Sequence, residues 1–342
     1  MSKKRILIIS LIVLFLIAVA GLVFWFMQKE TKTEEETVAE EWEPKILSEL
    51  NLDDRIESIA FSPDGSTFAV GQYLKADLYN ASDNSLINSF EFSHTVEDLK
   101  FSPDGKILGG GVTLGGVTLY DVETKEEIVN FHRGYNSRLA FSPDGKTVAT
   151  GNREGVVWLW DIETGEQIAT FEPEEKDYSS ALDFSRDGNY VAYGDFGGNV
   201  YYWDVESGDL VYTFELPSII KDVKVSPDGK TLAVISKNKE VDLFDLTSGE
   251  VKDSLQSDSA VTKLVFSPDG KMLIVGGNVM GSDGNIDIAL IWETEKWTKK
   301  SLKHSDIEAS RVVVSDVDFS QDSQKVVIST SEGSVYLWQV QK

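Results

Sequence analysis

Two sets of residues in this chain could do chemistry. The first is a scatter of aromatic, cationic and polar side chains in short segments between apolar runs: Tyr73, His132, Arg133, Tyr135, Arg153, Tyr178, Asp195 and Phe196. Exposed Tyr and Arg among adaptable polar neighbours are what protein-recognition surfaces use. Ordinary solvated loops are the competing reading. The second set stands three and one residues before a recurring Phe or Val. One column reads Ser58, Asp98, Arg138, Ala181, Asp222, Lys263 and Asp316; the other reads Ala60, Lys100, Ala140, Asp183, Lys224, Val265 and Asp318. Charges of both signs at fixed intervals can pair with one another, or hold an ion or polar ligand.

Other chemistries are thinly supplied. There is no cysteine, which excludes disulfides, thiolate nucleophiles and cysteine metal sites. Three histidines, His94, His132 and His304, leave little for a transition metal. Asp283-x-Asn285-x-Asp287 faintly resembles a calcium loop, but Asp287 belongs to the alternating run Ile286–Ile291 and no Glu closes the pattern. A long hairpin turn explains it as well. No Gly-x-Ser-x-Gly elbow, His-Glu-x-x-His pair or phosphate loop occurs. A net charge of -25, from 32 basic and 57 acidic residues, argues against nucleic acid as a partner.

The framework that must hold these residues is a repeat. Phe61-Ser62-Pro63-Asp64-Gly65 returns as Phe101–Gly105, Phe141–Gly145 and Phe266–Gly270, with altered copies at Phe184–Gly188, Val225–Gly229 and Phe319–Ser323. Successive copies start 40, 40, 43, 41, 41 and 53 residues apart, a period that predicts propeller blades of four strands each. In the first repeat, Ser58–Phe61 reads as the innermost strand, followed by Thr67–Val70, Ala76–Tyr79 and the outer strand Leu86–Phe90. Pro63 supplies a fixed φ and Gly65 accepts a positive one, so the pentapeptide is a turn-forming device.

Third strands end in an aromatic, usually with an acid after it: Tyr120-Asp121, Trp160-Asp161, Trp203-Asp204, Phe244-Asp245, Trp292-Glu293 and Trp338. Glu163-Thr164-Gly165-Glu166 and its counterparts then make hairpins to the outer strand. On these residues the chain, from about 46 to 342, resembles the bacterial WD40-repeat family of β-propellers. The family's Gly-His and turn Asp have isolated matches: His94 and His132 stand near the first, and Asp195 at the second. The resemblance implies that pentapeptides and aspartate hairpins share one face, and that the recognition residues gather on the other. It also implies that inner strands border a wet central channel, lined by Asp98, Arg138, Asp222, Lys263 and Asp316.

Outer strands end in Phe90, Phe131, Phe171, Phe214 and Leu255 at a near-constant distance before the next pentapeptide, and Leu50 stands likewise before Phe61. Ile46–Leu50 therefore reads as an outer strand without inner partners, while 312–339 holds three strands without a fourth. Joining them predicts an all-β, seven-bladed β-propeller over 46–342.

Ahead of it, a basic tip (1–5) precedes an apolar run (6–27) that would reach roughly 33 Å as a helix, enough to span a membrane. Ala18-Val19-Ala20 leaves a cleaved signal peptide as the alternative. Residues 28–45 form an acidic linker, and the basic residues before the span predict an outward-facing propeller. The expectation is a monomeric, single-pass cell-membrane protein with an extracytoplasmic propeller, binding a protein, a peptide or a wall glycan, without cofactor or metal. One alternative is a propeller enzyme, a hydrolase or quinone-cofactor oxidoreductase, with its site in the channel mouth. The other is a scaffold facing the cytoplasm.

Overall fold

The computed structural model describes residues 43–341 except 133–135, 176, 238, 281–285 and 305–310. The basic tip and the apolar run lie outside the described residues. Every regular element among the described residues is a strand. β1 (Lys45–Asn51) comes first, then β2 (Ser58–Phe61), β3 (Thr67–Gly71), β4 (Tyr73–Asn80), β5 (Leu86–Phe101), β6 (Ile107–Val112), β7 (Gly116–Asp121) and β8 (Glu127–Phe131). The third repeat holds β9 (Asn136–Phe141), β10 (Thr147–Asn152), β11 (Val157–Asp161) and β12 (Gln167–Phe171). The fourth holds β13 (Ser179–Phe184), β14 (Tyr190–Asp195), β15 (Asn199–Asp204) and β16 (Leu210–Glu215). The fifth holds β17 (Asp222–Val225), β18 (Thr231–Ile235), β19 (Glu240–Asp245) and β20 (Val251–Gln256). Then follow β21 (Ala260–Phe266), β22 (Met272–Met280), β23 (Ile286–Glu293), β24 (Thr298–His304), β25 (Arg311–Phe319), β26 (Lys325–Thr330) and β27 (Ser334–Gln339).

Each of the first six repeats folds into an antiparallel sheet of four strands in sequence order, and the last supplies three strands to which β1 adds a fourth, an arrangement consistent with a propeller. β1 lies antiparallel on β27, from Lys45 opposite Gln339 to Asn51 opposite Ser334. Two junctions differ from the expected loops. β5 runs unbroken from the outer edge of the first repeat to the inner strand of the second, because 86–101 contains no Gly or Pro to interrupt it. β22 reaches past its own sheet and pairs with β25, Asn278 opposite Val313.

Two features of strand ends meet between repeats. The outer-strand Phe of one repeat packs on the third-strand aromatic of the next: Phe131 on Trp160 and Phe171 on Trp203 stacked, Phe90 on Tyr120 and Phe214 on Phe244 tilted, with centroids 4.6, 5.6, 5.5 and 4.5 Å apart. These six-membered faces fill the wedge between sheets, each pair contributing about 0.5–1.5 kcal/mol beyond simple burial. Second strands such as β18 (TLAVI) are buried on both faces and read as continuous apolar runs, whereas β1 alternates exposed and half-buried positions, as an outer strand should.

The pentapeptide turns form a linked series at one end of the sheets. In all seven copies the Ser hydroxyl donates to the Asp two residues on, at 2.6–2.7 Å. Each glycine of the full motif takes a positive φ. A Cβ on Gly105 would lie 3.3 Å from Pro63, and one on Gly145 3.6 Å from Pro103, so these two turns are backed by the proline of the preceding repeat. Where the last copy has Ser323 instead of Gly, that residue also takes a left-handed φ of 61° and its hydroxyl accepts the Asp269 N–H at 3.0 Å.

Candidate functional site

The innermost strand of a propeller sheet is an edge strand, with outward N–H groups that no neighbouring strand accepts. Here aspartates answer them across repeats. Asp98 accepts the Leu139 N–H at 3.0 Å and Asp222 accepts the Leu264 N–H at 2.9 Å. Asp183 accepts the Val225 N–H at 2.9 Å. A carboxylate three residues before the pentapeptide reaches the N–H two before the next pentapeptide; one at the residue just before it reaches the next first letter. The spacing of two follows from strand periodicity.

Asp98, Arg138, Asp222, Lys263 and Asp316 come together around one cavity of about 290 Å³, which Lys100, Asp183, Lys224 and Asp318 also line. Lys100 lies 3.5 Å from Asp98, Lys224 lies 3.5 Å from Asp183 and 3.9 Å from Asp222, and Lys263 lies 3.8 Å from Asp316. Arg138 does something else: its guanidinium donates to the backbone carbonyls of Ser180 at 2.8 Å and Glu97 at 3.3 Å, tying three repeats together. Burial opposes the charge on Asp98, but Lys100, Arg138 and Lys263 outweigh it and hold its carboxyl below the ordinary value. At Asp318 burial dominates despite Lys100 and the Phe61 N–H, and its pKa is pushed up to about 6. Each carboxylate that sequence spacing marked is thus engaged by backbone N–H groups and neighbouring cations, which is structural work at the seams between sheets.

The other candidate set sits at the opposite end of the sheets from the pentapeptides, as strand alternation requires. Tyr73, which opens β4 beside its turn from β3, is 65% exposed, Tyr178 before β13 is 51% exposed, and Phe196 in the β14–β15 turn is 49% exposed. His132 and Arg153 are exposed as well. Tyr178 and Phe196 meet edge to face with centroids 5.9 Å apart. Arg133 and Tyr135 lie outside the described residues, as do Asp283 and Asn285. Asp195 requires a correction. It is fully buried, and its carboxylate accepts the Asn199 N–H at 2.7 Å, so it shapes the turn that carries Phe196 and offers nothing to solvent.

Sequence reasoning missed Leu74, Leu114 and Ile219, which are exposed at this same end. Leu74 and Leu114 occupy matching turn positions with left-handed φ values of 64° and 68°. Such a conformation disfavours a residue of that shape. Their signal was a leucine inside a turn, beside Gly115-Gly116 in the second case.

Comparison with known families adds to this geometry. A family model described as "Eukaryotic translation initiation factor eIF2A" matches residues 31–154 and 193–337, more than half of the chain. The model "WD domain, G-beta repeat" matches residues 165–204, and nothing in these matches singles out a bacterial subtype of that repeat. No curated protein matches the chain. The first match overturns the expected extracytoplasmic display at a cell membrane, since translation initiation takes place on ribosomes inside the cell. The wall-glycan ligand falls with that location; a protein partner and a non-enzymatic interaction module stand. Among the described residues no helix is long and apolar enough to cross a membrane.

Proposed function

This chain belongs to the eukaryotic translation initiation factor eIF2A family, and from that membership we propose that it is a cytoplasmic scaffold that binds a protein partner during translation initiation. The sheets would close as a seven-bladed ring over 46–342, with β1 completing the last blade. Support for closure comes from the β1–β27 pairing and from carboxylates of β25 that reach N–H groups of β2.

One observation carries the reading. Large aromatic and aliphatic side chains stand exposed at the loop end of the sheets, while the charges of the central cavity are engaged internally. A rigid body with an apolar, aromatic loop face offers recognition rather than catalysis. The partner-binding set is Tyr73, His132, Arg133, Tyr135, Arg153, Tyr178 and Phe196. With a net charge of -25, the chain would approach the protein components of an initiation complex rather than its RNA.

The test is crosslinking in intact cells, followed by partner identification and sedimentation against ribosomal subunits. A protein of the initiation machinery should be crosslinked, and Tyr73→Ala with Tyr178→Ala should weaken its recovery. A chain that sediments alone, with no crosslinked protein, would overturn the scaffold reading.

A further inference from the structure

Tyr178 and Phe196 flank the last backbone pairing of β13 with β14, Ser179 opposite Asp195. The Phe196 N–H donates to the Tyr178 carbonyl at 3.0 Å, so the two rings are set by strand geometry rather than by a wandering loop. Both remain about half exposed, although each could bury in the core at a gain. The segment leading into Tyr178 is acidic on balance: Glu172, Glu174, Glu175 and Asp177 fall within six residues, with Lys176 the one cation among them. Glu174, Glu175 and Asp177 are exposed.

That segment is pinned from below. The Tyr193 hydroxyl donates to the Asp177 carbonyl at 3.0 Å, and the Tyr201 hydroxyl donates to the Glu175 carbonyl at 3.1 Å. The two phenol rings stack on one another, centroids 5.8 Å apart. Burial holds both phenols above their ordinary range, Tyr201 at about 12, so they remain donors under physiological conditions. A Cβ on Gly197 would lie 3.5 Å from Asp177 Oδ2, which puts that carboxylate beside the turn carrying Phe196. The two rings and the Asp177 carboxylate therefore share one small area, and the backbone that carries Glu175 is held beside it, so part of the ordering cost is already met in the free protein.

We propose that Tyr178, Phe196 and the acidic segment Glu174, Glu175 and Asp177 form a docking site for an arginine- or lysine-rich segment of a protein partner. The proposal rests on the scaffold reading and narrows it to one partner chemistry. A guanidinium or ammonium group over the rings gains cation–π attraction, and the neighbouring carboxylates add charge complementarity. Phosphates and acidic peptides are repelled by the same carboxylates. A second copy of this chain, with its own charge of -25, is repelled likewise. An uncharged apolar peptide would use the rings but leave the carboxylates idle.

The test is fluorescence anisotropy of a labelled oligoarginine peptide titrated with the full chain. The wild type should bind, and both Y178A/F196A and E174Q/E175Q/D177N should weaken binding by about tenfold or more. The control E163Q/E166Q/E206Q removes as many exposed charges at the opposite end and should leave affinity nearly unchanged. The rings are half exposed, so the thermal midpoint of Y178A/F196A should match the wild type. Equal weakening by the two charge sets, no effect of removing the rings, or equal binding of oligoglutamate would overturn the site. If the chain keeps its crosslinked partner but ignores oligoarginine, the site falls and the scaffold stands. If oligoarginine binds with the expected pattern but no partner is crosslinked, the scaffold falls and the site stands.

Discussion

The carboxylate of Asp316 accepts the backbone N–H of Ile59 at 3.1 Å, joining two inner strands that are 257 residues apart in sequence. Asp318 does the same for the Phe61 N–H at 2.9 Å. Asp98 with Leu139 and Asp222 with Leu264 repeat this bond between sheets adjacent in sequence. The first and last sheets are therefore joined by the same device that joins neighbours, and the charges of the central cavity are mainly its residue. Lys100, Lys224 and Lys263 then offset the carboxylates that the device brings together.

Removing the Asp316 carboxylate should loosen this seam. Asp316→Ala leaves the buried Ile59 N–H without its acceptor and Lys263 without its carboxylate, a loss of about 1–3 kcal/mol. Asp316→Asn retains an oxygen that can accept the bond and should cost less. Urea unfolding of the two variants checks the order; equal losses would mean that charge rather than the hydrogen bond does the work.

β1 should be needed for solubility as well as stability. It covers the edge of β27, and Leu50 and Leu52 pack on the cluster containing Ile59, Phe61 and Val335. Removing residues through Leu52 would expose that edge and its apolar neighbours, whereas removing only residues 1–43 leaves β1 in place. The longer truncation should aggregate and lose its cooperative unfolding transition, as expected of an uncovered strand edge. Light scattering during a thermal ramp distinguishes the two.

The tryptophans should differ in what their indole N–H groups contribute. Trp160 donates to the Thr150 hydroxyl at 2.9 Å, deep in the third repeat. Trp203 and Trp338 have no partner for theirs among the described residues. Register explains this, because the positions matching Thr150 are Tyr193 and Ile328. Trp160→Phe should cost about 1–2 kcal/mol more than Trp203→Phe, since it also strands a buried hydroxyl. Chemical denaturation of both variants measures the difference.

Much of the framework could be read in advance because turn residues punctuate it locally. Phe-Ser-Pro-Asp-Gly specifies its own hydrogen bonds, and even the altered copy Phe319–Ser323 keeps the Ser–Asp pair that matters. The unbroken course of β5 is also legible in its alternation, Phe92 buried between exposed Glu91 and Ser93, although the repeat ends the outer strand at Phe90. The site was harder to read. The burial of Asp195 depends on how a turn folds back on itself, and the course of Arg138 toward the Ser180 carbonyl depends on the stagger between sheets. Neither stagger nor turn curvature is encoded in residue type at one position.

The carboxyl of Asp318 should leave a mark on the pH dependence of stability. Burial raises it from 3.8 to about 6, with Asp316 adding to the rise and Lys100 and the Phe61 N–H opposing it. Between those values the folded state holds the proton more tightly than the unfolded chain, so this group's contribution is fully present at low pH and is lost as pH rises through about 6. The turn aspartates, Asp64, Asp104 and Asp144 among them, are held below their ordinary range and act with the opposite sign, losing their contribution as pH falls. They are shared by wild type and Asp318→Asn, so the difference between the two proteins isolates Asp318. The amide can still accept the Phe61 N–H but does not titrate. From about pH 5 to about pH 8 the Asn variant should therefore gain on the wild type by about 1 kcal/mol, read from denaturant midpoints. Parallel pH profiles would mean that the seam tolerates the ionised carboxylate without cost, and that Lys100 compensates for its burial.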